Sequence, residues 1–131
     1  MKYAVISVSR EGALLGQRVK DGISGEGTLY ERKGAESGGE AVYFNRTLAL
    51  TSDIFTKYDG LLFIMASGIA VRAVAPHVVS KASDPAVLVM DECGKHCISL
   101  LSGHLAVQCL GPGGGGSGRG GSRHYHSHRC P

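Results

Sequence analysis

The sequence predicts a three-layer α/β domain, with helices on both faces of a mostly parallel sheet and a C-terminal hairpin. Two unbroken apolar runs, Leu61–Met65 and Ala86–Met90, have the length of strands that are buried on both faces, as in parallel sheets. Segments with helical spacing of apolar residues lie between the strand-like runs. The turn Ala66–Gly68 follows the first run directly, and its small residues allow a sharp strand-to-helix turn.

The first half of the chain contains the patterns of three strands and two helices. Tyr3–Val8 is rich in β-branched residues and predicts the first strand. Ser9 can cap a helix over Glu11–Lys20, whose apolar stripe is formed by Leu14, Leu15 and Val19. Further along, we expect short strands at Thr28–Tyr30 and Ala41–Phe44 and a helix at Leu48–Tyr58.

The second half predicts a broken helix and a hairpin. Ile69–Val79 has a helical pattern, but Pro76 removes a backbone donor, so the helix should kink or restart there. After a polar loop and the strand Ala86–Met90, the turn Asp91–Lys95 leads into the strand His96–Leu101. The simplest pairing of these two strands is antiparallel.

Composition divides the chain into a domain at residues 1–105 and a Gly/His/Arg-rich tail at residues 106–131. The tail cannot pack a core, and we expect it to be disordered. Acids and bases are balanced before the tail although the net charge of the chain is +3, which argues against a nucleic-acid partner. Because no segment has the pattern of a membrane span or signal peptide, we expect no membrane association and a cytoplasmic location.

The turn after Leu61–Met65 is the first candidate site. Ser67 and Gly68 would leave helix amides open to an anionic group, and Arg72 would add a forked cationic donor about one turn later. We therefore predict that these three residues bind substrate. The alternative, that they only cap a helix, has equal weight because many strand–helix turns bind nothing.

The acid–base candidates follow the last two strands. His104 titrates near neutral pH and comes after the small-residue turn Ser102-Gly103, which we assign to substrate binding. Asp91 and Glu92 come directly after a buried strand. The alternatives are a histidine bonded to backbone and a solvated hairpin turn, and no motif supplies an acid partner for a Ser102–His104 nucleophilic pair.

The sequence predicts no protein-bound metal. The alternating histidines of the tail, among them His124 and His126, lack the fixed geometry that a metal site needs. Cys93 and Cys97 would need two further fixed ligands, and His96 and His104 are not at a recognised zinc spacing.

Several separated motifs together resemble the N-terminal region of the CbiG family, the cobalt-precorrin-5A hydrolases of anaerobic cobalamin biosynthesis. The resemblance covers about residues 1–105, and its motifs occur in the family's order. They are Ala4–Ser9 with Gly12 and Leu15-Gly16, then Tyr58–Arg72, Ala75-Pro76, Lys81, Asp84–Val87, Asp91-Glu92 and Ile98–Leu105.

This resemblance implies a hydrolase that opens the ring-A δ-lactone of a cobalt corrinoid and releases acetaldehyde. It implies no protein cofactor, since the substrate carries the cobalt. Because the family continues with a middle and a C-terminal domain, we expect this chain to be a truncated fragment whose partners are the corrinoid and those missing domains. The alternative is a non-catalytic domain that binds an anionic small molecule or a corrinoid.

The tail is expected to be a frame-shift product. A shift of one nucleotide permits the codons of residues 123–129 to read Val-Ile-Thr-Thr-Ala-Thr-Asp, which the CbiG family carries at about this distance. It also turns glycine codons into codons for better helix formers. Resequencing the gene tests this expectation, which fails if the nucleotides are confirmed and the shifted frame meets an early stop codon.

Overall fold

The computed structural model describes residues 1–101, and it contains six strands and three α-helices. The strands are β1 (Lys2–Ser7), β2 (Glu26–Arg32), β3 (Val42–Phe44), β4 (Gly60–Ile64), β5 (Ala86–Met90) and β6 (Cys97–Leu101). The helices are α1 (Arg10–Gly22), α2 (Thr47–Ile54) and α3 (Ser67–Val74), and a 3₁₀ turn at Ala75–His77 follows α3.

All six strands form one sheet in the order β3-β2-β1-β4-β5-β6. The first five strands are parallel, and β6 pairs antiparallel with β5. β1 and β4 are the central pair. Every residue of β1 from Tyr3 onward and every residue of β4 is buried, because both faces of the sheet are covered. The predicted α/β class, the mostly parallel sheet and the terminal hairpin are confirmed.

Helix α1 covers one face of the sheet. Ser9 caps it, since its Oγ accepts a hydrogen bond of 3.0 Å from the amide of Gly12. Leu15 and Val19 pack with Val5 in the core on this face. Leu14 was expected in the apolar stripe, but it is exposed, because the buried side of α1 is completed by small residues instead.

Helices α2 and α3 cover the opposite face, where Ile54 and Ala73 pack with Phe63. α2 ends at Ile54, earlier than predicted. The chain needs the following residues to enter β4 in register, since Asp59 exchanges two hydrogen bonds with Lys2, of 2.7 and 2.8 Å. The break expected near Pro76 is confirmed, because α3 ends at Val74 and Pro76 lies in the 3₁₀ turn.

The buried carboxylate of Glu31 anchors the segment between β2 and β3. Glu31 is 1% exposed and accepts hydrogen bonds from the amide of Ser37 at 2.9 Å, from the Ser37 hydroxyl at 2.8 Å and from Nε2 of Gln17 at 3.1 Å. Gln17 also donates to the carbonyl of Glu40 at 3.3 Å. This network fixes the loop against α1, and with it the approach of the chain to β3. β2 is longer than the predicted Thr28–Tyr30, because pairing with β1 extends it in both directions.

Hydrogen bonds of tyrosine hydroxyls connect secondary-structure elements at two places. The Tyr3 hydroxyl donates to the carbonyls of Lys20 and Ile23 at the end of α1, at 3.3 and 3.1 Å. The Tyr30 and Tyr58 hydroxyls lie 2.7 Å apart, and burial, together with this bond, raises the pKa of Tyr30 above its ordinary value. Within the described residues, no helix is long and apolar enough to cross a bilayer.

Candidate functional site

The order of the strands creates a topological switch point between β1 and β4. From β1 the chain proceeds through α1 to β2 on one side, and from β4 it proceeds through α3 to β5 on the other. The two connections therefore diverge beyond the carboxyl ends of the central strands, where open α/β sheets bind their ligands.

A cleft of about 380 Å³ opens beside this switch point, which we call the switch-point cleft. Residues at the ends of three strands and the starts of two helices line it: Val8, Arg32, Asn45, Arg46, Thr47, Leu48 and Ile69. It combines two cations with apolar side chains and contains no carboxylate. Leu48 and Ile69 are 57% and 39% exposed, so the apolar part is open to a ligand.

The cations of this cleft are available for an anion. Both Arg32 and Arg46 are exposed, and no carboxylate within residues 1–101 forms an ion pair with either side chain. Arg46 precedes α2 without a side-chain cap, so the first amides of that helix add partial positive charge. An arginine fork binds a carboxylate through two parallel hydrogen bonds. The cleft can therefore bind a carboxylate or phosphate beside an apolar group.

The turn predicted from the sequence lies at the same edge of the sheet. Ser67 and Gly68 form the exposed first turn of α3, directly after β4. The Arg72 side chain extends back along the helix, because a methyl group placed on Gly68 would lie 3.7 Å from Nη1 of Arg72. The structure thus brings the three predicted binding residues together. Ile69, which lines the switch-point cleft, lies between them on α3.

Asp91 and Glu92 follow β5, which is the neighbour of β4. Ile64 pairs with Met90, so these carboxylates lie at the same edge as Ser67. Both are half-buried. Oδ1 of Asp91 accepts the amide of Lys95 at 2.9 Å and its carbonyl accepts the amide of Gly94 at 3.0 Å, so Asp91 holds the hairpin turn together. Among the described residues, no hydrogen bond to a turn amide engages the Glu92 carboxylate in the way that the Lys95 amide engages Asp91.

The remaining predicted residues, Ser102, Gly103 and His104, lie outside the described residues, as does the tail at residues 106–131. Their roles stay predictions. The last described residue, Leu101, pairs with Val87 near the start of β5. The antiparallel direction of β6 therefore brings the chain to the edge opposite Ser67 and Asp91.

A second concave surface adjoins the switch-point cleft. It has a volume of about 450 Å³ and runs between the edge strand β3 and one side of α2. We call it the β3–α2 groove. Its lining comprises Tyr43, Phe44, Asn45, Arg46, Ala49, Leu50 and Asp53. Because Asn45 and Arg46 line both surfaces, they form the boundary between them.

No group of three or more His, Cys, Asp or Glu side chains in residues 1–101 is arranged to hold a metal ion. The donors at the carboxyl edge are guanidinium, amide and hydroxyl groups together with two carboxylates. These groups suit an anionic organic ligand better than a bound cation.

Arg32, Asn45, Arg46 and Thr47 were missed by reasoning from the sequence. β3 has only three residues, and the chain before it has no clear periodicity, so the end of β3 was not considered as a ligand site. The available signal was a polar Asn-Arg-Thr sequence directly after a strand, at the edge where ligands bind in α/β proteins.

Comparison with known proteins relates the chain to one family. The family model described as "Cobalamin synthesis G N-terminal" matches residues 49–108, which begin after Arg46 and include Ser67, Arg72 and Asp91. A cobalt-precorrin-5A hydrolase of Salmonella typhimurium is 66% identical over 50 residues, which are 38% of this chain and 14% of that protein. A protein of the same name from Priestia megaterium is 32% identical over 108 residues, covering 79% of this chain and 29% of that protein.

A solved structure has the same fold. The crystal structure of a cobalamin biosynthesis protein G homolog from Sulfolobus solfataricus matches with a TM-score of 0.59 and 28% identity, over 79% of this chain and 30% of that one. The chain spans less than a third of the length of these relatives. The resemblance inferred from the sequence is confirmed, because residues 49–108 match the model of the cobalamin synthesis G N-terminal region and two proteins named cobalt-precorrin-5A hydrolase are similar to this chain.

Proposed function

We propose that this chain acts in cobalamin biosynthesis as the N-terminal part of a cobalt-precorrin-5A hydrolase, located in the cytoplasm. The observation that carries the proposal is the switch-point cleft, where Arg32 and Arg46 are unpaired within the described residues and apolar side chains lie beside them. A cobalt corrinoid with peripheral carboxylates matches this surface, because it presents anionic arms around an apolar ring. Two related proteins carry the name of this hydrolase.

The proposed reaction adds water to the ring-A δ-lactone of the corrinoid. Hydrolysis breaks the C–O bond of the ester and yields a carboxylate and an alcohol. The alcohol then loses its proton as the adjacent carbon–carbon bond breaks, which releases acetaldehyde, and the ring carbon gains a proton. These steps need a base and a proton donor. Asp91 and Glu92 are proposed for them at the carboxyl edge, and His104, which lies outside the described residues, is proposed as a further acid–base group. The cobalt belongs to the substrate.

Substrate binding is assigned to the two arginines of the cleft and to Ser67, Gly68 and Arg72, with Ser102 and Gly103 proposed as further contacts. Arginine forks favour planar carboxylates, and the open amides at the start of α3 favour negative charge. The two arginines and the first turn of α3 would hold the macrocycle over the carboxyl edge of the sheet. Leu101 lies at the opposite edge, so the proposed contacts of Ser102 and Gly103 belong to a different part of the ligand surface.

A non-catalytic function is the second candidate. All residues that line the switch-point cleft suit binding, and none of them is an acid–base group. A domain that binds an anionic corrinoid and leaves the chemistry to other domains would need only this surface. The two candidates differ in one product, acetaldehyde.

The test combines binding with product detection. We expect the purified chain to bind the cobalt corrinoid lactone, as measured by the change in its visible absorbance, and to release acetaldehyde, as measured with an NADH-coupled dehydrogenase. Arg32→Gln should weaken binding about tenfold, in line with the loss of one bidentate carboxylate contact. Arg18→Gln, an exposed arginine on the outer side of α1, is the matched control and should bind normally.

Binding without acetaldehyde would support the non-catalytic candidate. Equal binding by the Arg32→Gln variant and the control would contradict the assignment of the cleft.

A further inference from the structure

The corrinoid site proposed above has a neighbour that shares two of its residues. Arg46 and Asn45 line both the switch-point cleft and the β3–α2 groove, so a ligand bound to Arg46 lies at the opening of both surfaces. On α2, Ala49, Leu50 and Asp53 follow Arg46 at positions i+3, i+4 and i+7, which places all four on one side of the helix.

The groove offers contacts that differ from those of the cleft. Tyr43, on the edge strand β3, is 45% exposed, and with Leu50 it gives the groove an apolar wall. Asp53 is its only carboxylate, and no cation in residues 1–101 forms an ion pair with it. With a rise of about 1.5 Å per residue, Asp53 lies roughly 10 Å along the helix from Arg46. A small carboxylate bound to Arg46 does not span this distance, whereas a macrocycle with carboxylate arms does.

We infer that the binding surface continues past Arg46 into the β3–α2 groove, so that one macrocyclic polycarboxylate occupies both surfaces, with its ring against Tyr43 and Leu50. This inference rests on the proposed function and specifies its ligand class. It also gives Asp53 a definite role, since a carboxylate at the far end of the groove repels the anionic arms that reach it. Asp53 thereby limits affinity and disfavours ligands with an additional negative charge at that end.

The test exploits this repulsion, because a gain in affinity cannot be attributed to misfolding. Asp53→Asn should tighten binding of a cobalt corrinoid that carries free carboxylates about two- to fivefold at low salt, and the gain should shrink as salt is added. Near physiological salt, where charges more than about 8 Å apart are largely screened, the gain should be smaller for citrate, a small tricarboxylate held at Arg46, than for the corrinoid. Asp21→Asn, at the exposed end of α1, changes the net charge equally and is the control.

Two further variants separate the inference from the proposed function. Tyr43→Ala should weaken corrinoid binding about three- to tenfold and leave citrate binding unchanged, since loss of an aromatic platform removes apolar contact only from the larger ligand. Arg46→Gln should weaken the binding of both the corrinoid and citrate. If Arg32→Gln and Arg46→Gln weaken corrinoid binding while Asp53→Asn does not tighten it and Tyr43→Ala does not weaken it, the ligand stays in the cleft, and the inference is wrong although the proposed function stands. If neither arginine variant weakens binding, both are wrong.

Discussion

Replacing Glu31 with alanine should destabilise the protein far more than any exposed acidic substitution. The carboxylate is 1% exposed and accepts three hydrogen bonds, two of them from Ser37 and one from Gln17. Its removal leaves the Ser37 amide, the Ser37 hydroxyl and one Gln17 donor without that acceptor. Ser37 and Gln17 are half-buried, so each donor should contribute near the lower end of the about 1–3 kcal/mol that an unsatisfied buried donor costs. Gln17 keeps its hydrogen bond to the carbonyl of Glu40, so the loss of Glu31 costs less free energy at Gln17 than at Ser37. We therefore expect a loss of roughly 3 kcal/mol in the free energy of unfolding.

The substitution Glu31→Gln keeps the side-chain volume but removes the charge, so it separates the contributions of the two to stability. The glutamine oxygen can still accept the Ser37 amide, and its NH₂ group can face the Ser37 hydroxyl, which rotates to accept. The same NH₂ group faces Nε2 of Gln17, so that bond is lost. Glu31→Gln should therefore cost about 1–2 kcal/mol, because two neutral bonds replace charge-assisted ones and one bond disappears. Glu26→Ala, at the exposed start of the same strand, is the matched control and should change stability by less than about 0.5 kcal/mol.

Urea unfolding followed by circular dichroism measures these differences, and the melting temperature of Glu31→Ala should fall by roughly 12 °C or more. Amide exchange gives a local reading, since the Ser37 amide should lose its protection in the alanine variant before the strands do. If Glu31→Ala and Glu26→Ala unfold at the same urea concentration, the network does not stabilise the loop and the reasoning is refuted.

Four further outcomes are expected. Because the pKa of Tyr30 is raised in the folded protein, its stabilising contribution is complete below about pH 10 and is lost at higher pH; Tyr30→Phe should make the alkaline fall in unfolding free energy shallower, and an unchanged slope would contradict this. Gly27→Ala should cost about 1–3 kcal/mol in urea unfolding, because a methyl group there would lie 2.5 Å from Cζ of the buried Tyr3. Arg72→Lys should weaken corrinoid binding about fivefold through loss of the fork, and unchanged affinity in a folded variant would exclude the contact. His104→Ala, made at the corresponding position of a full-length relative, should lower turnover by roughly 10²–10⁴-fold with little change in substrate binding, whereas an equal loss of stability without substrate would indicate a structural role.

The central strands could be predicted because strands made only of apolar residues are stable only when both of their faces are buried. An unbroken apolar run such as Leu61–Met65 is too short for a typical helix and must be covered on both faces, which requires a parallel sheet with helices on each side. The role of Ser9 could also be predicted, since its side chain caps the helix that it precedes. In such cases the local pattern and the tertiary environment specify the same structure.

The cleft could not be predicted in the same way, because it depends on neighbours that are distant in sequence. Arg32 and Arg46 become close only when β3 pairs beside β2, and that pairing rests on the buried Glu31 network, whose residues look like an ordinary polar loop.

Leu14 shows the opposite error. Its spacing fits the apolar stripe of α1, but glycine and alanine pack against the sheet more closely and displace it to the surface. Periodicity identifies helices, whereas the detailed packing decides which positions are buried.

The antiparallel course of β6 also determines how the domain can be attached to something else. Lys2 begins β1, and Leu101, three strands away across β4 and β5, ends β6 at the same edge of the sheet. At about 4.8 Å per strand, these two positions are roughly 14 Å apart. A linker at either position would therefore pull from the side away from the cleft. The domain could be immobilised on a sensor surface, or inserted into a host protein, with its carboxyl edge still facing the solution.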